Sequence, residues 1–109
     1  MATSSIEKVT NNSGSNYCKM PDGTLIQWGS VSMACTTEGG PLGYYGTATV
    51  NFPVAFKTAS YVIIPTIQEV ASYWNANGYV SSTTQGVVCI GGNNTVSKNV
   101  RWFAMGRWK

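Results

Sequence analysis

The chain has 109 residues, of which 10% are charged and 43% hydrophobic, and its formal net charge is +3. This length fits one domain with a core of its own. The charged fraction is low for a soluble domain, and Ser, Thr, Asn and Gly take the place of charged residues. Such a composition suits an all-β protein with many turns and fits a long helix badly. The Lys and Arg residues are scattered instead of forming the basic stripe of a nucleic-acid-binding protein, and no run of about 20 apolar residues could cross a bilayer, so neither nucleic-acid binding nor membrane insertion is expected.

Residues 1–16 are polar and become rich in Ser, Asn and Gly toward their end, which predicts a linker from an upstream region. They contain no apolar stretch of the kind that a secretion signal needs, so the chain is expected to fold in a cytoplasm. Residues 17–109 are then predicted to form the single folded domain.

A turn at Pro21-Asp22-Gly23 opens this domain, because Pro presets φ and Gly accepts a positive φ. It joins predicted strands over residues 17–20 and 25–33 into a hairpin. Side chains alternate along the second strand, and we expect Trp28 to lie in the core together with Ile26.

A Gly-rich loop over residues 36–46 follows, and it holds Tyr44 and Tyr45. Residues 47–52 form the next predicted strand. Residues 61–70 form another, which Pro65 interrupts. Since Pro cannot donate to a strand ladder, this strand is predicted to lie at a sheet edge or to contain a bulge.

Residues 74–78, with the sequence WNANG, predict a hairpin, because Asn-Gly readily adopts the type I′ turn. Strands are predicted over residues 79–83 and 86–90, a Gly/Asn turn over 91–94, and a last strand over 100–108. Short strands with turns about every eight to twelve residues are typical of an antiparallel sandwich or barrel. The predicted class is therefore all-β.

The last strand has apolar side chains on both faces. Trp102 and Ala104 share one face, and the opposite face carries large apolar and basic side chains. A two-layer sandwich covers one face only, so the second face predicts a subunit interface. Its predicted residues are Arg101, Phe103, Met105 and Arg107.

The composition offers little for catalysis. The absence of His excludes Ser-His-Asp and Cys-His arrangements. Cys18, Cys35 and Cys89 lack the short spacings of a zinc site and are expected to be unpaired core residues. Glu38 and Glu69 could meet across strands, but nothing in the sequence requires it. No enzyme activity, metal or cofactor is predicted.

Four motifs in order carry a family resemblance: SGSNYCKMPDGTLIQWG at residues 13–29, VNFPVAF at 50–56, VSSTTQGVV at 80–88 and VRWFAMG at 100–106. Together they resemble the C-terminal tip domains of bacteriophage and prophage tail fibres. The FPVAF and WFAMG segments are also similar to H-type lectins, a family of trimeric GalNAc-binding sandwiches. The chain departs from both in its longer, aromatic loop over residues 39–46 and in its cysteines, which leaves ligand specificity open.

The resemblance implies an antiparallel β-sandwich that assembles as a homotrimer at the tip of a virion tail fibre, with residues 1–16 joining it to an upstream fibre region. Its partner would be a polysaccharide or lipopolysaccharide of the host bacterial surface. Two alternatives stay open: a free-standing lectin of the H-type kind, and a structural trimerisation cap without a ligand.

Sugar sites combine flat aromatic rings with amides and hydroxyls and commonly lie on loops. Two aromatic segments and one amide-rich turn fit this pattern. The candidate glycan-binding residues are Tyr44, Tyr45, Tyr73, Trp74, Asn75, Asn77, Tyr79, Asn93 and Asn94. The competing interpretation is structural: the tyrosine pair packs over the sandwich end or at an interface, Trp74 and Tyr79 form a cross-strand aromatic pair, and the asparagines form a turn.

Overall fold

A computed structural model of the chain describes residues 13–14, 16–67 and 74–109. Over these residues it is all-β, as the composition predicts, and no described segment forms a helix that is long and apolar enough to span a membrane. The described strands are β1 Ser13–Gly14, β2 Tyr17–Lys19, β3 Thr24–Met33, β4 Thr37–Glu38, β5 Tyr44–Asn51, β6 Val62–Ile67, β7 Trp74–Val80, β8 Gln85–Gly92 and β9 Lys98–Arg107.

The strands form two layers. Sheet A has the order β1-β2-β3-β9-β6, and sheet B has the order β4-β5-β8-β7. Each described pairing is antiparallel, so the prediction of an antiparallel sandwich is confirmed. The strand containing Pro65, β6, lies at the edge of sheet A, where a residue without an N–H is tolerated.

The turn before β3 forms as its sequence predicts. Gly23 has a φ of +103°, and the Met20 N–H donates to the Thr24 carbonyl at 2.8 Å. Asp22 Oδ1 accepts the Thr24 N–H, also at 2.8 Å. This hydrogen bond is the main reason why the pKa of the Asp22 carboxyl lies below its usual range.

The core lies between the inner faces of the two sheets, where alternate side chains of each strand meet. An aromatic cluster closes one end of it: Phe52 makes edge contacts with Phe56, Tyr61 and Trp102 at centroid distances of 5.0, 5.0 and 5.6 Å. Such edge-to-face pairs are favourable beyond the area they bury. The Tyr61 hydroxyl also lies 2.8 and 2.7 Å from the carbonyls of Ser82 and Gln85.

Gln27 is fully buried on the inner face of β3. Its Nε2 donates to the Val54 carbonyl at 2.7 Å, and its Oε1 accepts the Val54 N–H at 2.8 Å. The carboxamide thereby makes the pair of hydrogen bonds to Val54 that a neighbouring strand would make, although Val54 lies outside the described strands. These bonds connect β3 to the segment that follows β5.

The prediction that Trp28 lies in the core is wrong. Trp28 is 40% exposed on the outer face of sheet A, while Leu25 and Gln27 occupy the inner face. Alternation separates the side chains of a strand into two sets without saying which set is buried. Here the buried set includes a glutamine, because Val54 satisfies its amide.

The predicted hairpin over residues 74–78 is also wrong, because these residues lie within one continuous strand, β7. Gly78 is not among the glycines with positive φ, so it makes no turn. A Cβ at this position would lie 2.5 Å from the Ile63 carbonyl oxygen. The absence of a side chain at Gly78 therefore allows β7 to approach β6 closely.

Both chain ends of the described fold meet at one end of the sandwich, which we name the turn end because it carries the turn over residues 20–23. Trp108 is held there: its N–H donates to the Gly23 carbonyl at 2.9 Å and its Nε1 to the Met20 carbonyl at 2.7 Å. Ser13 pairs with Cys18 in antiparallel register, so the chain runs into β1 from this same end.

The sheet thus begins inside the segment predicted as a linker; residues 1–12 and 15 lie outside the described residues. The opposite end, which we name the loop end, carries the connection between β4 and β5 and the turn between β8 and β9.

Candidate functional site

The register of sheet B brings several of the predicted ligand residues together at the loop end. Tyr44, Gly92 and Trp74 form one row across three strands. Tyr45, Gly91 and Asn75 form the next row. Tyr44 and Tyr45 lie in β5 instead of the predicted loop, and strand alternation therefore turns them to opposite faces.

The row with Trp74 faces the inside of the sandwich. The indole lies over Gly92, whose absent side chain makes room for it: a Cβ there would stand 2.5 Å from the ring. Lys98 Nζ lies 5.0 Å from the Trp74 ring centroid, a cation–π distance. Trp74 Nε1 is buried and has no hydrogen-bond partner in the structure.

The row with Tyr45 faces solvent. Tyr45 is 41% exposed, and its ring packs along the Gly39-Gly40 turn, within 3.4 Å of where a Gly39 Cβ would stand. The Asn75 side-chain oxygen lies over Gly91, 2.6 Å from the corresponding Cβ position. An aromatic ring and a carboxamide thus lie in one row on an open surface, on either side of Gly91.

This surface continues along the outer face of sheet B as an uncharged polar strip. The residues on the outer face are Tyr45, Thr47, Thr49 and Asn51 from β5, Gln85, Val87, Cys89 and Gly91 from β8, and Asn75, Asn77 and Tyr79 from β7. Tyr79 is 52% exposed and lies nearer to the turn end than Tyr45 does. Trp74 and Tyr79 occupy opposite faces of one strand, so they do not form the cross-strand pair of the competing interpretation.

The remaining candidates contribute less. Asn94 Oδ1 accepts the Val96 N–H at 3.0 Å, and its Nδ2 donates to Asn93 Oδ1 at 3.2 Å. Both amides therefore shape the turn after β8, as the competing interpretation holds for this pair. Tyr73 lies outside the described residues.

The outer face of sheet A has the opposite character. Two rows of apolar side chains cross β3, β9 and β6: Ile26, Met105 and Val62, and next to them Trp28, Phe103 and Ile64. Five of these six are large hydrophobic residues that are at least 40% exposed. We name these six residues the apolar face.

Parity along the last strand predicted correctly which β9 side chains share one side, and their role as a subunit interface stays a prediction. Arg101, Phe103, Met105 and Arg107 are all exposed on the outer side, whereas Trp102 is buried. Arg107 also donates from Nη2 to the Asp22 carbonyl at 2.6 Å, which engages it at the turn end. The contributions of β3 and β6 were missed, although their alternation carried the signal.

Cys18, Cys35 and Cys89 are unpaired, as predicted, but only Cys35 is a core residue; the prediction of a core position is wrong for Cys18 and Cys89, which are half-buried. Cys35 is fully buried with its Sγ 3.6 Å from the Ile90 carbonyl, and burial raises the pKa of its thiol. Among the described residues no three His, Cys, Asp or Glu side chains group as metal ligands would.

Comparison with known families decides the identity. The sequence model of the gp53-like tail fiber protein C-terminal family matches residues 19–107, which is most of the chain. The chain belongs to this tail fibre family. The resemblance to C-terminal tail-fibre domains is therefore confirmed, whereas the similarity to H-type lectins stays a prediction. No curated protein matches the sequence.

Two solved structures share the fold of this tail fibre domain. One is a Pseudomonas aeruginosa R1 pyocin fiber comprising C-terminal residues 323–701, with a TM-score of 0.60 and 22% identity over 84% of this chain and 26% of that one. The other is an N-truncated R1-type pyocin tail fiber, with a TM-score of 0.61 and 23% identity over 84% and 79% of the two chains. The domain spans about a quarter of the first fibre chain.

Proposed function

We propose that this tail fibre domain is a receptor-binding tip that binds a polysaccharide or lipopolysaccharide of the host bacterial surface, as a homotrimer and without catalysis. The observation that carries the proposal is the contrast between the two outer faces. Sheet A presents the two rows of the apolar face, with Arg101 and Arg107 on either side of them, and sheet B presents an uncharged face of amides, hydroxyls and tyrosines.

The apolar face supports self-association. Exposed apolar patches of this kind on a soluble domain are typical of protein interaction sites. Phe103 and Met105 of β9 lie beside Ile64 and Val62 of β6, so a second copy can cover these four side chains together. Trp28 lies at the β3 edge of the face, next to the open side of the sandwich. Burial of half-exposed side chains of this size contributes on the order of 1 kcal/mol each.

The loop end supports ligand binding. The chain enters the fold at the turn end, so a fibre shaft attached upstream would leave the loop end pointing away from the particle. Tyr45 and Asn75 lie there in one row on an open surface, on either side of Gly91. An aromatic ring and a carboxamide on one surface suit the C–H and hydroxyl groups of a sugar. Three copies would multiply a weak affinity through effective concentration.

The binding test uses an array of bacterial polysaccharides and lipopolysaccharides with the wild type, Tyr45→Ala and Asn75→Ala. We expect each variant to bind at least about tenfold more weakly, equivalent to about 1.4 kcal/mol. Ser60→Ala, an exposed residue outside the loop end, is the matched control and should bind like the wild type. Equal binding by all four proteins would contradict a site at Tyr45 and Asn75.

The assembly test measures mass by light scattering on a size-exclusion column over a hundredfold dilution. We expect three times the 11.7 kDa of one chain. Phe103→Glu should lower the mass to that of one chain, and Thr47→Glu on the outer face of sheet B should not. A monomeric wild type would refute the role of the apolar face. A stable trimer that binds no glycan would favour the trimerisation cap.

A further inference from the structure

A groove lies on the open side of the sandwich, between the outer edges of β3 and β5. β2 pairs with β3 only as far as Gln27, and β4 pairs with β5 only at Tyr44 and Tyr45. The rest of both strands has no described strand neighbour on that side. The space between them has a volume of about 390 Å³, which falls within the range of small-molecule sites.

Two tryptophans line the groove, Trp28 with 40% of its surface exposed and Trp102 with 6%. Trp28 lines it from the outer face of β3, and Trp102 lines it from β9. The second indole reaches the groove because Gly29 has no side chain: a Cβ there would lie 2.7 Å from the Trp102 ring. The other lining residues are Asn16, Ser30, Val31, Thr49, Val50, Asn51 and Pro53.

Polar groups converge on the same space. The Trp28 N–H donates to the Asn16 carbonyl at 3.1 Å on the open side of β3. Since alternate residues of a strand direct their backbone groups to the same side, the N–H and C=O of Ser30 face this side as well. Asn51 Oδ1 accepts a hydrogen bond from Gln85 Nε2 at 2.9 Å, which leaves the Asn51 amide protons as donors.

None of the lining residues is charged. A phosphate or carboxylate would therefore find no counter-ion among them, and burying an unpaired charge is costly. A neutral polar ligand with one apolar surface meets all the groups present: indole rings for its C–H groups, and amide, hydroxyl and backbone groups for its hydroxyls.

We propose that this groove binds a neutral disaccharide that spans the two strand edges, with the Trp28 indole and the Ser30 backbone contacting it on the β3 side and Thr49 and Asn51 bonding its hydroxyls on the β5 side. The inference rests on the proposed glycan-binding function and adds a position to it that lies apart from Tyr45 and Asn75. The groove is a lateral site, whereas the loop end is a terminal one.

The four tryptophans of the chain make the position of a ligand measurable. Trp28 and Trp102 line the groove, Trp74 lies at the loop end, and Trp108 lies at the turn end. Protein labelled with 5-fluorotryptophan gives one ¹⁹F signal for each, assigned with single Trp→Phe variants. The probes are lactose, maltose and N,N′-diacetylchitobiose, with glucuronic acid as the anionic control.

We expect at least one neutral disaccharide to shift the Trp28 and Trp102 signals and to leave Trp108 unchanged. Trp102 is the diagnostic signal, because it lies on the inner side of sheet A and would not report a contact at the apolar face. A shift confined to Trp74 would overturn the groove and leave the proposed function intact. The groove is also overturned if no neutral probe shifts its two signals.

Filling the groove supplies the second test. Thr49→Trp places an indole in the lining, and Thr47→Trp places one on the same strand and face but outside it. We expect the first change to raise the dissociation constant of the shifting disaccharide at least about tenfold, and the second to change it less than twofold. Equal effects would overturn the proposal. The proposal would also be overturned if the Trp102 signal shifted with protein concentration in the absence of sugar, because a second copy of the chain would then occupy the groove.

Discussion

The buried carboxamide of Gln27 offers a quantitative test of how β3 is fixed. Replacing Gln27 with Leu keeps a side chain of similar size but removes both hydrogen bonds to Val54, the one at 2.7 Å and the one at 2.8 Å. The N–H and C=O of Val54 would then lie in a half-buried site without their present partner. Few native backbone groups are left in that condition.

Each backbone group that loses its partner costs about 1–3 kcal/mol, and the added apolar burial of Leu offsets part of this. We therefore expect Gln27→Leu to lower the free energy of unfolding by about 2–4 kcal/mol. At about 4 °C per kcal/mol for a domain of this size, the melting temperature should fall by about 8–16 °C.

The assay is urea unfolding followed by tryptophan fluorescence, with a thermal melt by circular dichroism. Gln85→Leu is the matched control, since Gln85 also uses its side-chain amide but on the outer face, bonded to Asn51; its cost should stay below about 1 kcal/mol. Equal losses in the two variants would refute the reasoning, because they would mean that burial of the amide does not set the cost.

Gln27→Glu adds a dependence on pH. A carboxyl at this buried position should have a pKa raised by burial, and its protonated form can still donate to the Val54 carbonyl. The folded state then holds a proton that the unfolded state releases, so stability relative to the wild type is highest below the unfolded pKa and falls as pH rises through the folded one. Near pH 4 the variant should approach the wild type, and at pH 7 it should be clearly less stable.

Three further changes probe other contacts. Tyr61→Phe removes a hydroxyl that lies against two carbonyls at 2.8 and 2.7 Å, and urea unfolding should show a loss of about 1–2 kcal/mol. Asp22→Asn keeps an acceptor for the Thr24 N–H. Because the pKa of Asp22 is lowered in the fold, the stability that its carboxylate contributes is lost as pH falls through the folded pKa. In thermal melts below about pH 4, the melting temperature of the variant should therefore fall less steeply with pH than that of the wild type. Gly46→Ala places a Cβ against the Ala34 carbonyl and should cost about 1–3 kcal/mol; an unchanged melting temperature would contradict this close approach.

Alternation predicted which side chains share a face but not which face is inside. Along β9 this ambiguity had no effect, because the sequence predicted that both faces are covered. The division of its side chains into the Trp102 face and the Phe103 face agrees with the structure. Along β3 it did matter. The buried position of Gln27 depends on Val54, which is 27 residues away in sequence, and no local pattern contains that partner.

Glycine caused the other errors. Asn77-Gly78 has the composition of a tight turn, but Gly78 lies inside β7. A side chain there would collide with Ile63, which belongs to β6 in the other sheet. Gly91 and Gly92 looked like a turn and instead end β8, where they leave space for Asn75 and for Trp74. A local signal cannot separate a glycine that bends the chain from one that admits a neighbour.

The direction in which the chain enters β1 has a mechanical consequence. A pull on Ser13 against the loop end runs along the strands, since β1, β2 and β3 are consecutive neighbours in sheet A. Ladder hydrogen bonds in an antiparallel pair lie perpendicular to the strands, so such a pull loads the β1–β2 hydrogen bonds in shear. The two residue pairs that join β1 to β2 are the first to be strained, and the ten pairs between β3 and β9 lie behind them. Tension along this axis therefore loads the short β1–β2 ladder in shear before it reaches the longer β3–β9 ladder.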